Sequence, residues 1–192
     1  MKPHWNAVTR DRAYFSYHRC PVCGVLYCPE FFMEAELTQF YASMPDNTLG
    51  VAPDVLKKTQ RGYFDVLKRF SSRRGGYLEV GPDLGFFTAY AVQENTYNHF
   101  WLFEPKTEVQ SALKTILAGR AFDIIPSMLA VDKIPPQTLS AVVMVHVLDH
   151  LLEPRKILEQ LKSRLLPGAT LLFVTHDESS WLARAMGRRW DG

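Results

Sequence analysis

The sequence has little net charge and no long apolar run. Its 22 basic and 20 acidic residues leave a formal charge of +2 at pH 7. So small a charge gives no support for binding to nucleic acid or to an anionic membrane through a basic surface. The longest uncharged apolar stretch, residues 134–148, contains Pro135 and Pro136 and is shorter than the roughly 20 residues that a transmembrane helix needs. We therefore expect neither nucleic-acid nor membrane partners.

Cysteine is also scarce. The three cysteines all lie within Cys20–Cys28, and an odd, clustered set cannot form the disulfide framework of a secreted domain. The start of the chain, Met1–Asn6, lacks the apolar segment and the small-residue cleavage site of a signal peptide. These absences predict a cytoplasmic protein.

Apolar residues are plentiful enough for a packed core. The 192 residues are 47% hydrophobic and 22% charged, which is typical of a globular chain of about one domain. Breaker residues divide the sequence into a Cys-containing hairpin head over residues 1–32, a helical connector over residues 33–75 and a body over residues 76–192. Within the connector, apolar residues at helical spacing predict helices over residues 33–41 and 54–70.

In the body, short β-rich runs alternate with helical patterns. Thr107 and Gln110 have the spacing of a capping box, and Pro167–Gly168 is expected to stop a helix that Pro154 begins. Alternating strands and helices predict an α/β fold with a parallel sheet and right-handed crossovers. Strands are expected over residues 77–80, 99–104, 122–126, 141–147 and 170–174, the fourth being central because its Val-rich run suits burial on both faces.

Polar residues follow several of these strands. In an open parallel sheet, ligands bind beyond the carboxyl ends of the strands, near the point where the strand order reverses. We therefore expect the functional site at that edge, among residues 79–85, 104–105, 127–128, 146–150 and 175–177.

The turn after the first body strand separates two cofactor classes. A dinucleotide-binding fingerprint that begins at Gly81 needs Gly where Asp83 and Phe86 stand. The pattern acidic-x-Gly-x-Gly-x-Gly instead places Glu79, Gly81 and Gly85 correctly and departs only at Asp83. On these residues the chain resembles the class I S-adenosylmethionine-dependent methyltransferases.

Three later segments extend the resemblance to about residues 77–190. Val147–Pro154, Leu165–Leu171 and Arg188–Trp190 are similar to segments of one large subgroup of that family, in the same order along the chain. The resemblance implies a Rossmann-like, doubly wound parallel sheet of about five strands in the order 3-2-1-4-5. The residues after Thr175 are too few for the family's final hairpin. The chain thus resembles a C-terminally truncated member, with an open sheet edge prone to self-association.

The resemblance also implies where S-adenosylmethionine would bind. In that family, the Gly-rich turn approaches the methionine part of the cofactor, and an acidic residue after the second strand holds the ribose hydroxyls. Each role has a structural alternative. Gly81 and Gly85 could form an ordinary tight turn, Glu104 could only stabilise the N-terminus of the next helix, and Met128 could be a core residue. The implied cofactor-binding residues are Glu79, Gly81, Pro82, Asp83, Gly85, Phe86, Glu104, Pro105, Ser127, Met128 and His146.

Asp83 and two histidines carry further expectations. The Asp83 carboxylate, in the place of a family Gly, could reach the cofactor's ammonium group or cap the following helix. Methyl transfer mainly needs two partners to be positioned and water excluded, but a general base helps if the acceptor is a hydroxyl or a carbon acid. His146 and His150 are the candidate catalytic residues, because imidazole titrates near pH ~6.5; the alternative is that both are structural.

The head contains a Cys-x-x-Cys turn. Such a turn presents two thiolates to one tetrahedral zinc ion, and some members of the resembled subgroup carry a zinc-ribbon head. Their earlier cysteine pair is absent here, so the candidate ligands of a structural zinc are Cys20, Cys23, Cys28 and His18. A metal-free hairpin is the alternative.

These observations predict an S-adenosylmethionine-dependent methyltransferase that acts on a small-molecule acceptor, such as a sugar or a natural-product scaffold. The missing hairpin leaves the activity of the chain open. The alternative is a noncatalytic methyltransferase-like binding or interaction module. An NAD-dependent oxidoreductase ranks last, because the chain lacks the dinucleotide fingerprint.

Overall fold

A computed structural model describes residues 4–5, 14–43, 51–71, 74–177 and 179–187. The segment Arg188–Trp190, part of the resemblance, lies outside these ranges. The chain divides into two compact units, Met1–Asn47 and Thr48–Gly192. No helix in the described ranges is long and apolar enough to span a membrane.

The first unit contains two short antiparallel ladders and one helix. In its Cys-x-x-Cys turn, the Gly24 amide donates to the Cys20 carbonyl at 3.0 Å, and Gly24 has a φ of +76°. A hairpin was predicted for this part of the chain, and antiparallel pairing is confirmed here. β1 (His4–Trp5) pairs with β2 (Tyr14–Phe15), β3 (His18–Arg19) pairs with β4 (Leu26–Tyr27), and α1 covers Glu34–Ser43.

The second unit alternates helices and strands along its length. Pro53 at the first helical position begins α2, where a fixed φ and a missing N–H are tolerated. The elements are α2 (Pro53–Phe70), β5 (Gly75–Val80), α3 (Phe86–Gln93), β6 (Tyr97–Phe103), α4 (Gln110–Ile116), β7 (Phe122–Ile125), β8 (Leu139–Val145), α5 (Pro154–Lys162), β9 (Leu165–Val174) and α6 (Trp181–Met186).

All five strands of this unit form one parallel sheet in the order β7-β6-β5-β8-β9. This confirms the predicted Rossmann-like α/β fold and the strand order 3-2-1-4-5. The middle strand is β5, whereas β8, which was expected to be central, lies between β5 and β9. In the described part of the chain, β7 and β9 are the sheet edges.

Both faces of the sheet are buried. Tyr77 of β5 belongs to a core cluster with Phe64 of α2 and Leu113 of α4. The next residue, Leu78, belongs to a second cluster with Leu161 of α5. Successive side chains of a strand point to opposite faces, so helices cover the sheet on both sides.

The predicted capping box at Thr107 is wrong. α4 begins at Gln110 without a side-chain cap, and Thr107 contributes only its carbonyl, which accepts from the Gln110 amide at 3.2 Å. The Lys106 amide already donates to the Glu104 carboxylate at 2.9 Å. The residues directly after Glu104 therefore form a turn around its carboxylate, and α4 begins only at Gln110.

Pro167 and Gly168 lie inside β9 rather than before it. Pairing with β8 joins Leu139 to Leu165 and resumes only between Ala141 and Thr170. β9 therefore carries extra residues in a bulge, where a proline without an N–H is tolerated on an edge strand. α5 ends at Lys162, so the two residues are not a helix stop.

Candidate functional site

The turn after β5 is built from left-handed residues. Gly81, Asp83 and Gly85 have φ values of +67°, +47° and +72°. A Cβ on Gly85 would lie 2.7 Å from side-chain atoms of Leu113 and Ile116 in α4, closer than real contacts allow. Gly85 therefore lets the turn pack closely against Leu113 and Ile116 of α4, which adds a structural reason to the functional one expected from the sequence.

Glu104, directly after β6, joins two turns. It is only 4% exposed. Its Oε2 accepts from the Asp83 amide at 3.1 Å, and its Oε1 accepts from the Lys106 amide at 2.9 Å. Burial raises the pKa of Glu104, and these two amide bonds oppose the rise. Each carboxylate oxygen has two acceptor sites, so Glu104 keeps capacity for hydroxyl donors.

Asp83 adds a second carboxylate beside Glu104. Its Oδ1 lies 3.9 Å from Lys106 Nζ, and the Lys106 side chain is largely buried. The Asp83 charge contributes to the raised pKa of Glu104, while the Lys106 charge opposes it. Asp83 and Lys106 thus connect the turns after β5 and β6 a second time, through their side chains.

Glu79 points into the core of the sheet. Its Oε2 accepts from the hydroxyls of Tyr77 and Thr88, both at 2.6 Å, and the residue is 3% exposed. Burial, with a smaller contribution from the Glu104 charge, raises the pKa of Glu79 to about 7. The observed bonds fasten β5 to α3, and contact between Glu79 and a cofactor stays a prediction.

The other residues expected at the cofactor lie around this turn. Pro82 is buried, and Phe86 is half-buried with Lys57 Nζ 5.6 Å from its ring centroid. The Ile125 carbonyl accepts from the amides of Glu104 at 3.0 Å and of Ser127 at 2.9 Å. The half-buried Pro105, Ser127 and Met128 therefore belong to the same sheet edge as Glu104.

The carboxyl ends of β8 and β9 contribute histidines. The ring of His146 stacks on that of His176, with centroids 4.3 Å apart and 20° between the planes. Burial, and then the neighbouring His176, lower the pKa of His146. On the following turn, His150 Nε2 lies 4.0 Å from Asp149 Oδ2. Sequence reasoning placed residues 175–177 at this edge of the sheet but gave His176 no role, because stacking on His146 depends on the pairing of β8 with β9.

The predicted zinc site is not supported. Within the described ranges, no group of three or more His, Cys, Asp or Glu side chains is arranged to hold a metal ion. The thiol of Cys28 donates to the Glu30 carbonyl at 2.9 Å, and the amides of Cys23 and Val22 lower the pKa of Cys20 by hydrogen bonding to its sulfur. The ring of His18 is instead 6.0 Å from that of Tyr27. The four candidate ligands thus do not converge.

A protein-family model described as a methyltransferase domain matches residues 55–192. Among solved structures, a SAM-dependent methyltransferase from Leishmania major has a TM-score of 0.56 and 18% identity, over 73% of this chain and 59% of that one. The N-methyltransferase NodS from Bradyrhizobium japonicum, in complex with S-adenosyl-L-homocysteine, has a TM-score of 0.51 and 17% identity, over 72% of this chain and 70% of that one.

At these identities the likeness shows the fold. The chain spans 59% of the length of the Leishmania major protein. No curated protein matches the chain.

Proposed function

The chain belongs to the methyltransferase-domain family whose model it matches over residues 55–192, and on that premise we propose that it binds S-adenosylmethionine beside β5 and β6 and transfers the methyl group to a small-molecule acceptor. The observation that carries the proposal is the carboxylate of Glu104. It is nearly buried at the carboxyl edge of the sheet and is held by the amides of Asp83 and Lys106. A carboxylate fixed in this way is suited to accept hydrogen bonds from two neighbouring hydroxyls.

The residues around Glu104 fit a nucleoside with an amino-acid tail. Glu104 accepts from the ribose hydroxyls. Ser127, whose amide shares the Ile125 carbonyl with the Glu104 amide, and the next residue, Met128, flank the adenine. The amino-acid tail is proposed to lie along the backbone of Gly81–Gly85, where a Cβ on Gly81 would approach Val147 to 3.2 Å. The Asp83 carboxylate either meets the tail's ammonium group or remains with Lys106.

The chain's own contribution to the reaction is positioning and proton transfer. When bound, S-adenosylmethionine supplies an electrophilic methyl group on a sulfonium sulfur. Holding two reactants in line can account for about 7–11 kcal/mol of a barrier. His146 and His150, after β8, are placed to hold a proton that the acceptor releases. The acceptor is proposed to be a sugar or a natural-product scaffold.

Titration calorimetry tests the binding step. The full chain should bind S-adenosylmethionine, and Glu104→Ala should weaken binding by about 10-fold or more, because a hydrogen bond to a charged group contributes ~1.5–3 kcal/mol. Glu159→Ala is the matched control, since Glu159 is an exposed carboxylate on α5 paired with Arg155 at 2.9 Å. It should bind as the unchanged chain does.

Two results would change the proposal. A folded chain that gives no heat at roughly millimolar cofactor would remove it. Binding without turnover would instead favour the noncatalytic module, for which Asp83 in the place of a family Gly is the supporting observation.

A further inference from the structure

The ends of β8 and β9 hold two histidines face to face. The imidazole rings of His146 and His176 are 4.3 Å apart, and the planes differ by 20°. The His146 amide donates to the Val174 carbonyl at 2.8 Å. Pairing of the two strands therefore extends to the backbone of His146, and His176 follows two residues after the end of β9.

The backbone at His146 is unusual. Its φ of +54° lies in the left-handed region, which residues other than glycine rarely adopt. Conformations of this kind cluster at functional sites, where the surrounding structure imposes them. Nδ1 of His146 is buried and has no hydrogen-bond partner in the part of the chain that the structure describes. A hydrogen bond to Nδ1 therefore does not explain the backbone geometry.

His146 is followed in the chain by a residue that lies close to the turn assigned to the cofactor. Val147, the next residue after His146, has a methyl carbon 3.2 Å from where a Cβ on Gly81 would lie. Gly81 begins the turn that we place against the tail of S-adenosylmethionine. An acceptor that approaches the methyl group from the β8 side therefore meets the histidine pair.

Charges around the stack favour a neutral His146. Burial lowers its pKa most, followed by His176; Asp149 raises it and His150 lowers it. Two stacked imidazoles repel each other when both are charged. Near neutral pH, His146 can therefore accept a proton. Once it is charged, the Asp149 carboxylate stabilises it.

We propose that His146, with His176 stacked on it, accepts the proton that the methyl acceptor releases, and that the nucleophile of this acceptor is a hydroxyl group. This inference rests on the proposed function. His176 is the new member of the site, and it acts through His146 as a positioning residue.

The step balances as follows. The acceptor oxygen forms a bond to the methyl carbon, and the carbon–sulfur bond breaks with its electron pair on sulfur, which leaves neutral S-adenosylhomocysteine. The acceptor's O–H bond breaks with its electrons on oxygen, and the proton passes to the imidazole of His146. Solvent then removes the proton from the imidazole of His146, which is only half-buried.

A histidine titration by NMR of the full chain with bound S-adenosylhomocysteine tests the pair. We expect the titration of His146 to depend on His176, because the two rings are stacked and His176 lowers the pKa of His146. In His176→Asn, the pKa of His146 should therefore move upward. His99→Asn is the control: His99 bonds Asp123 at 2.8 Å and belongs to another pair of strands, so the His146 titration should not change. Independent titration of His146 and His176 would overturn the pair.

His176→Phe separates a structural role from a proton-linked one. A phenyl ring preserves the stacked face but carries no charge. If the stack were only structural, His176→Phe would retain the pH–rate profile of the unchanged chain. The proposal predicts a shifted profile in this variant, with cofactor affinity retained.

Labelled S-adenosylmethionine tests the acceptor class. Catechol and glucose serve as hydroxyl probes, and dimethyl sulfide serves as a probe that needs no base. We expect methyl transfer to a hydroxyl probe, and a roughly 100-fold or greater loss of it in His146→Asn, the usual scale of general-base catalysis. Transfer to dimethyl sulfide alone, or to no hydroxyl probe, would overturn the acceptor class. If the unchanged chain did not bind S-adenosylmethionine, the proposed function itself would have failed.

Discussion

Glu79 is a buried carboxyl whose protonation should control part of the stability. Its folded pKa of about 7 lies above the ordinary value of 4.5. The stabilising contribution of a group with a raised pKa is complete below its unfolded pKa and is lost as the pH rises through the folded value. The unchanged chain should therefore lose about 3 kcal/mol between pH 4.5 and 7 from this group.

Glu79→Gln should remove that loss, because glutamine stays neutral and can still accept from Tyr77 and Thr88. Urea unfolding at several pH values from about 5 to 8 measures the difference. Glu159→Gln, an exposed carboxylate, should keep the pH dependence of the unchanged chain. Parallel curves for the unchanged chain and Glu79→Gln would contradict this account.

The sequence places Gly81, Gly85 and Glu104 in the segments that follow strands. In the structure, Gly81 follows β5, Glu104 follows β6 and Gly85 precedes α3. The sequence could not show that both oxygens of Glu104 bind backbone amides, because that requires the turns after β5 and β6 to be neighbours in space. The pairing of Val80 with Phe103 brings the turns together. The burial of Glu79 beside Thr88 and the stacking of His176 on His146 likewise depend on contacts between elements, which a local sequence pattern does not predict. Contact of any of these residues with a cofactor stays a prediction.

The turn between β5 and α3 depends on Gly85 for its packing against α4. Gly85→Ala should lower the free energy of unfolding by about 2 kcal/mol or more, because a left-handed alanine costs ~1 and overpacking ~1–3 kcal/mol. Gly119→Ala is the matched control: its φ is +79°, but a Cβ there meets nothing within 4 Å. Only the backbone cost should remain, which chemical denaturation can measure. Equal losses in the two variants would contradict the packing argument.

Alternation of strands and helices was sufficient to predict the parallel sheet. Its strand order came from the resemblance to a known family. The errors fall where tertiary contacts outweigh local signals. Pro167–Gly168 is a typical helix stop, yet pairing with β8 extends β9 back to Leu165 and places both residues in a bulge. Thr107 has the spacing of a capping box, but the Lys106 amide donates to the Glu104 carboxylate and α4 begins only at Gln110.

Cofactor binding should stabilise the Thr48–Gly192 unit as a whole, because the proposed site draws residues from β5, β6, β7 and β8. A ligand that binds only the folded state at ~100 times its Kd contributes about 2.7 kcal/mol. Thermal unfolding of the full chain should shift upward with S-adenosylhomocysteine concentration. Glu104→Ala should show a much smaller shift, and an unchanged Tm at saturating ligand would contradict the proposed site.

The β9 edge bears on the state of assembly. β9 is hydrogen-bonded to β8 on one side in the described part of the chain, and exposed edges favour pairing between molecules. Self-association stays a prediction from the sequence. Sedimentation velocity over a concentration series should show a larger species at high concentration, whereas one monomeric boundary throughout would contradict it.

The position of a bound ligand tests most directly the claim that the cofactor binds at Glu104 and the turn after β5. A crystal structure of the chain with S-adenosylhomocysteine should show the ribose hydroxyls on the Glu104 carboxylate and the amino-acid tail along Gly81–Gly85. The cavity of about 460 Å³ at the opposite ends of the strands, beside Trp101, His99 and Arg74, should be free of it. Ligand in that cavity, or ligand away from Glu104, would contradict the account.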